Sequence, residues 1–130
     1  MVMERKNVIV EKSIAFSLAL IKFCELLDAS KKFVISKQLL RSGTSIGANV
    51  IEAQNAESKK DFIHKMKIAA KEASETDYWL VLCEKSDNYP SAPGLRIELN
   101  EISRILTSII GTAKRSLRSL DSKSLPPLTN

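Results

Sequence analysis

Histidine is nearly absent from this chain: across 130 residues His64 stands alone. A carboxylate-bridged metal pair in a helical bundle needs two Glu-x-x-His elements, so one imidazole excludes it. Asp61-x-x-His64 has the spacing of half such an element, but no second copy exists and Asp61 is better explained as a helix-capping acid. Ser-His-Asp and Cys-His catalysis is equally unsupported, because His64 would have to serve alone. Aromatic residues are only 5% of the chain, too few to interleave with its basic residues as a stacking platform for single-stranded bases. Four glycines and four prolines leave little material for the many turns of an all-β protein. The only two cysteines, Cys24 and Cys83, are isolated in apolar contexts and are expected to be buried free thiols in a reducing compartment. No long hydrophobic run survives either. Val8–Leu27 is broken by Glu11, Lys12, Lys22 and Glu25, which excludes a secretory signal and a transmembrane span. A cytoplasmic protein with no cofactor and no membrane partner is expected.

What is present is aliphatic. Hydrophobic residues make up 44% of the chain, enough at this length for one domain with a real core. The pattern predicts an all-α fold, an antiparallel up-down-up-down four-helix bundle over residues 1–120. Its helices are expected at about 8–28, 36–55, 59–84 and 95–120, and residues 121–130 as a disordered tail. The first helix carries one stripe of Ile14, Leu18 and Ile21 and another of Phe16, Leu20, Phe23 and Leu27. A helix apolar on two sides is generally covered on two sides. The fourth has Leu95, Leu99, Ile102, Leu106, Ile109 and Ala113 at alternating steps of four and three, a bundle seam.

The second helix contains the run Arg41-Ser42-Gly43-Thr44-Ser45-Ile46-Gly47-Ala48-Asn49. This is a poor helix former, by roughly 4 kcal/mol against an all-Ala segment. Yet Leu39, Gly43, Ile46, Val50 and Ala53 keep a helical beat through it. A helix held by packing resolves the conflict, with Ser36 as its N-cap. Gly43 and Gly47 are expected opposite Met66–Ala70 of the third helix. That helix opens with a capping box, Ser58-Lys59-Lys60-Asp61, and shows Phe62, Met66, Ala69, Ala73 and Leu80 on one face. The glycine pair is no phosphate loop: three residues intervene instead of four, and Ala48-Asn49 follows where Lys-Ser/Thr is needed.

Three polar constellations remain. Arg41, Ser45, Asn49 and Glu52 form a line opposite the apolar face of the second helix, either solvated or a contact line to a subunit or ligand. Ile68, Glu72, Glu75, Trp79 and Leu82 gather on the side of the third helix away from its core face, a mixture that suggests an interface. Glu72 and Glu75 lack a cleft for acid–base work, and Lys71 can pair with Glu75 along the helix. Basic residues supply the third. Net charge is +5 and the pI about 9.3. Arg104, Arg115 and Arg118 fall near the face of the fourth helix opposite its seam, with Lys114 alongside. Bundle topology adds Lys59, Lys60, Arg5 and Lys6 to the same pole, diluted by Glu4, Glu57 and Asp61. This is either a solvated end with cations placed well near a helix C-terminus or a phosphate-binding surface whose affinity would fall with salt.

Over Gln38–Ala53, with Arg41, Ser42, Ser45, Ile46, Asn49 and Glu52 at the pattern positions, the chain resembles the four-helix-bundle proteins encoded in intervening sequences of bacterial 23S ribosomal RNA genes. A second block, Asp61-Phe62-Ile63-His64 through Ile68-Ala69-Ala70-Lys71-Glu72-Ala73-Ser74-Glu75-Thr76-Asp77-Tyr78-Trp79-Leu80, resembles the same family. The two blocks cover about a third of the chain; Ala53-Gln54 departs from the glycine that many members have after the Glu. The resemblance implies self-assembly into a ring, typically a pentamer, and a function undefined for most members. A related branch acts as accessory protein to reverse transcriptases, through a basic barrel that contacts nucleic acid. The resulting expectation is a non-enzymatic, ring-forming bundle that binds RNA or DNA through a basic surface. The alternative is an oligomeric protein-interaction scaffold or accessory protein without direct nucleic-acid contact.

Overall fold

Local capping sets where the helices begin. The structure, a computed structural model, describes residues 7–124, with side chains to residue 120. Its four helices are α1 (Val8–Ala29), α2 (Phe33–Gln54), α3 (Lys59–Lys85) and α4 (Pro93–Ser124). Asn7 caps α1, its side-chain oxygen accepting from the Val10 amide at 3.4 Å. Ser58 caps α3, accepting from the Asp61 amide at 3.0 Å. The Asp61 carboxylate reaches back to the Glu57 amide at 3.3 Å, one residue before the reciprocal partner of an ideal capping box. Pro93 takes the first position of α4, where its missing N–H costs nothing.

The α1–α2 connection is a Schellman turn built on a lysine. Lys31 adopts a left-handed φ of 61°; its amide bonds Asp28 O at 2.9 Å and the Lys32 amide bonds Leu27 O at 2.8 Å. This turn starts α2 at Phe33, three residues before the expected start. Ser36 is therefore not an N-cap. It is buried inside the helix, where its hydroxyl donates to Cys24 O at 3.2 Å and the Cys24 thiol donates to Ser36 O at 3.5 Å. α4 runs on to Ser124, into the stretch expected to be disordered; residues 125–130 of that expected tail lie outside the described residues.

Each helix packs on its sequence neighbours and α4 closes on α1, leaving the diagonal pairs apart. Phe16, Leu20, Leu27, Leu39, Ile46, Val50, Met66, Leu80, Leu99, Ile102 and Leu106 are fully buried at the centre. The seam of α4 is as the periodicity predicts, except that Ile109 is only half-buried. The glycines face the other way from expectation. A Cβ on Gly43 would overlap Leu20 Cδ2 of α1, and one on Gly47 would lie 3.4 Å from Ser13 Cβ of α1. The glycines thus serve the approach of α1 to α2, while α2 and α3 share the apolar core and are also joined by polar groups. Within α2 the hydroxyls of Thr44 and Ser45 donate to Leu40 O and Arg41 O, each at 2.6 Å, and the Asn49 amide donates to Ser45 O at 2.8 Å. These side chains bond carbonyls one turn back, which satisfies them without favouring the helix; burial of Leu39, Gly43, Ile46, Gly47 and Val50 is what holds the weak run helical.

Candidate nucleic-acid interface

Antiparallel packing lays the start of α3 beside the end of α4. Lys59 Nζ donates to Ser116 Oγ at 2.8 Å and fixes this end of the pair. At the other end the Arg96 guanidinium holds Asp77 at 2.9 Å and Glu84 at 3.2 Å. The Asp77 bond, chiefly, raises Arg96 above its ordinary pKa. An open groove of about 710 Å³ follows this end of the seam, lined by Ser74, Asp77, Arg96, Asn100 and Ser103 among others.

The basic end is not balanced in the same way. Lys67 of α3 acts on Lys114 across the seam: it first, then burial and the charge of Arg118, hold Lys114 below the ordinary lysine range. Arg115 folds back over Gly111 and donates to Thr112 Oγ1 at 3.3 Å. Among the described residues no ion pair engages Lys60, Lys67, Arg104, Lys114, Arg115 or Arg118. Two of the expected cations, Lys59 and Arg115, are therefore held by hydroxyl groups, while Lys60, Arg104, Lys114 and Arg118 stand exposed. Arg5, Lys6 and Glu4 lie outside the described residues. Lys67 escaped the sequence reading. Its helical spacing from Lys60 and Lys71 was visible, but its neighbour Lys114 lies on another helix.

The two polar surfaces expected on α2 and α3 prove to be one. Arg41 Nη1 bonds Glu72 at 3.0 Å and its Nη2 bonds Glu75, while Trp79 Nε1 donates to Glu75 at 3.1 Å. The Trp79 bond first and Arg41 second hold the Glu75 carboxyl below its usual range; the Glu75 bond in turn raises Arg41. Glu75 thus bonds Arg41 of the neighbouring helix, not Lys71 along its own. Beneath this network the hydroxyls of Ser42 and Thr76 are hydrogen-bonded at 2.9 Å in the interior. Ser45 and Asn49, turned onto their own helix, are half-buried; Glu52 is exposed, and Ile68 and Leu82 are half-buried. Glu72, Glu75 and Trp79 therefore flank the α2–α3 seam instead of standing on an outer face. Both carboxylates are bound by a guanidinium, an arrangement that joins helices.

On the opposite side of α2, Ile14, Leu18 and Ile21 of α1 and Leu40 and Ile51 of α2 are 39–59% exposed. The close α1–α2 approach brings these side chains together on one flank. Cys24 and Cys83 are free and buried, and burial pushes the Cys83 thiol up to about 11. Among the described residues no group of three or more His, Cys, Asp or Glu is placed to hold a metal ion. None of the described helices is long and apolar enough to cross a membrane.

The family model described as 23S rRNA-intervening sequence protein matches residues 5–108. A crystal structure from Bacteroides thetaiotaomicron, of a protein of unknown function from the S23 ribosomal protein family, is 43% identical to this chain. The match covers 78% of this chain and 97% of that one, with a TM-score of 0.74. No curated protein matches the chain.

Proposed function

The chain belongs to the 23S rRNA-intervening sequence protein family, and from that premise we propose that it is a non-enzymatic, ring-forming bundle that binds RNA through the basic end of its α3–α4 seam. One observation carries the reading. Arg96 is matched by Asp77 and Glu84 at one end of the seam, whereas Lys60, Lys67, Lys114 and Arg118 at the other are exposed and in no described ion pair. Such a cluster neutralises phosphates and releases their counterions, which gives salt-sensitive binding with little sequence preference. Self-assembly is supported by the apolar flank of Ile14, Leu18, Ile21, Leu40 and Ile51, the kind of patch that marks a protein contact. The pentamer is carried over from the family resemblance. Repetition of the basic end around a ring multiplies the charge offered to one polyanion.

The test is the charge-reversed Lys114→Glu/Arg115→Glu/Arg118→Glu variant. These side chains are exposed, so the fold is expected to survive while RNA affinity falls at least about tenfold at moderate salt. Unchanged affinity overturns the patch. A second reading, an oligomeric scaffold for a protein partner, is favoured by the same apolar flank together with half-buried Trp79. A partner captured after nuclease treatment, and lost on Leu18→Asp in a folded variant, would support that reading against the first.

A further inference from the structure

Helix α3 carries a cationic feature that the α4 cluster does not account for. Lys60, His64, Lys67 and Lys71 are spaced four, three and four, which places them within a sector of about 60°. All four are exposed. The opposite sector holds the buried Met66, Ala69, Ala73 and Leu80, so the stripe points straight away from the core. The Lys59–Ser116 bond at 2.8 Å lays the end of α4, with the exposed Lys114 and Arg118, beside the start of this stripe, and the charge of Lys67 acts on Lys114.

Of the acids around this stripe, Glu57 is exposed and in no described ion pair, whereas the others are engaged. Asp61 is bound by Lys65 at 3.0 Å. Glu75 is held by Arg41 and Trp79, although its charge also feels Lys71. Asp77 and Glu84 belong to Arg96. Among the described residues no ion pair engages Lys60, Lys67, Lys114 or Arg118. The largely exposed ring of α3, Tyr78, lies beyond the stripe toward the other end of the helix. This surface therefore offers positive charge without a stacking platform, which fits phosphates and not bases.

We infer that Lys60, Lys67, Lys114 and Arg118 form a two-helix seat for the sugar–phosphate backbone of RNA, with the exposed stripe of α3 as one wall and the end of α4 as the other. The inference rests on the RNA reading above and extends its site along the outer face of α3. Arg104 lies more than two turns further along α4, and Lys59 is committed to Ser116; both fall outside the seat. Lys67, exposed on the stripe, is placed for one phosphate of the strand. Lys60, about 10 Å further along the helix axis, is placed for a different phosphate of the same strand.

Full-length protein is titrated with a short fluorescein-labelled RNA hairpin at several salt concentrations. Lys60→Met/Lys67→Met is compared with Lys37→Met/Lys85→Met, which removes the same charge from exposed positions outside the seat. The seat variant is expected to lose affinity about tenfold and to flatten the log–log salt slope by about 1–2, while the control stays within about twofold of the parent. Circular dichroism confirms that both remain folded. Equal losses in the two variants overturn the seat and leave the RNA reading standing. A parent protein without salt-dependent binding overturns both.

Discussion

Where α1 meets α2 the groups in contact are small or tightly interleaved: Ser13 against Gly47, Leu20 and Phe16 over Gly43, Ser36 against Cys24. Where α3 meets α4 the margins are spanned by long polar side chains, with Lys59 on Ser116 and Arg96 on Asp77 and Glu84. The first seam leaves no room for an added atom at Gly43, and its energy is that of close packing. The second leaves an open groove and cations facing solvent. With RNA bound at the second seam, as proposed, substitutions at the two seams should separate folding from binding.

The largest effect is expected from forcing the close seam apart. Gly43→Leu should cost about 3 kcal/mol or more, because its side chain meets the buried Leu20 and Phe16 with no path to solvent. Gly47→Ala should be close to neutral, since its Cβ meets Ser13 at ordinary contact distance and better helix propensity offsets the crowding. Urea denaturation measures both, and equal losses would break the assignment of tight packing to Gly43.

Next comes the polar α2–α3 seam, intermediate in character between the other two. Thr76→Val should destabilise by about 2 kcal/mol, because it leaves the Ser42 hydroxyl buried without its partner. A smaller effect follows pH. The Glu75 carboxyl titrates below its usual range because Trp79 and Arg41 bond its charged form. Its contribution is complete above the ordinary carboxylate value of 4.5 and is lost as pH falls through the lowered folded value. Cys83 works in the opposite direction: its contribution is complete below the ordinary thiol value of 9.0 and declines as pH rises toward about 11. Urea midpoints across pH should show both limbs, with Glu75→Gln flattening the acid one and Cys83→Ala the alkaline one.

The smallest change is a gain. Ser13 Oγ is buried without a hydrogen-bond partner. Ser13→Ala keeps the close approach and removes the orphaned hydroxyl, so it should stabilise by up to about 1 kcal/mol. A loss of stability instead would show that the α1–α2 seam depends on that hydroxyl and not on size alone.

Much of this was legible beforehand. Periodicity gave four helices, because a buried face must recur every third or fourth residue whatever packs against it. It also marked Met66, Ala69, Ala73 and Leu80 on α3 and Leu95, Leu99, Ile102 and Leu106 on α4 as core, and they are buried. The Ser58 cap was visible because its partner is three residues away. Ser36 misled for the same kind of reason: it looks like a cap locally, and only the Schellman turn at Lys31 shows that the helix has already begun. Arg41, Glu72, Glu75 and Trp79 were singled out one helix at a time; that they form one network depends on partners more than thirty residues apart.

Composition and spacing by themselves determined the helical class and the number of helices, since each depends on residue type and short-range order along the chain; the family was marked by the resemblance of two sequence blocks. Tertiary structure alone decided which neighbour each flank of a helix meets. α2 lies between α1 and α3, and no periodicity distinguishes its left flank from its right. That choice sent Gly43 and Gly47 to α1, Arg41 to the carboxylates of α3, and by the same logic at the next seam Lys67 to Lys114.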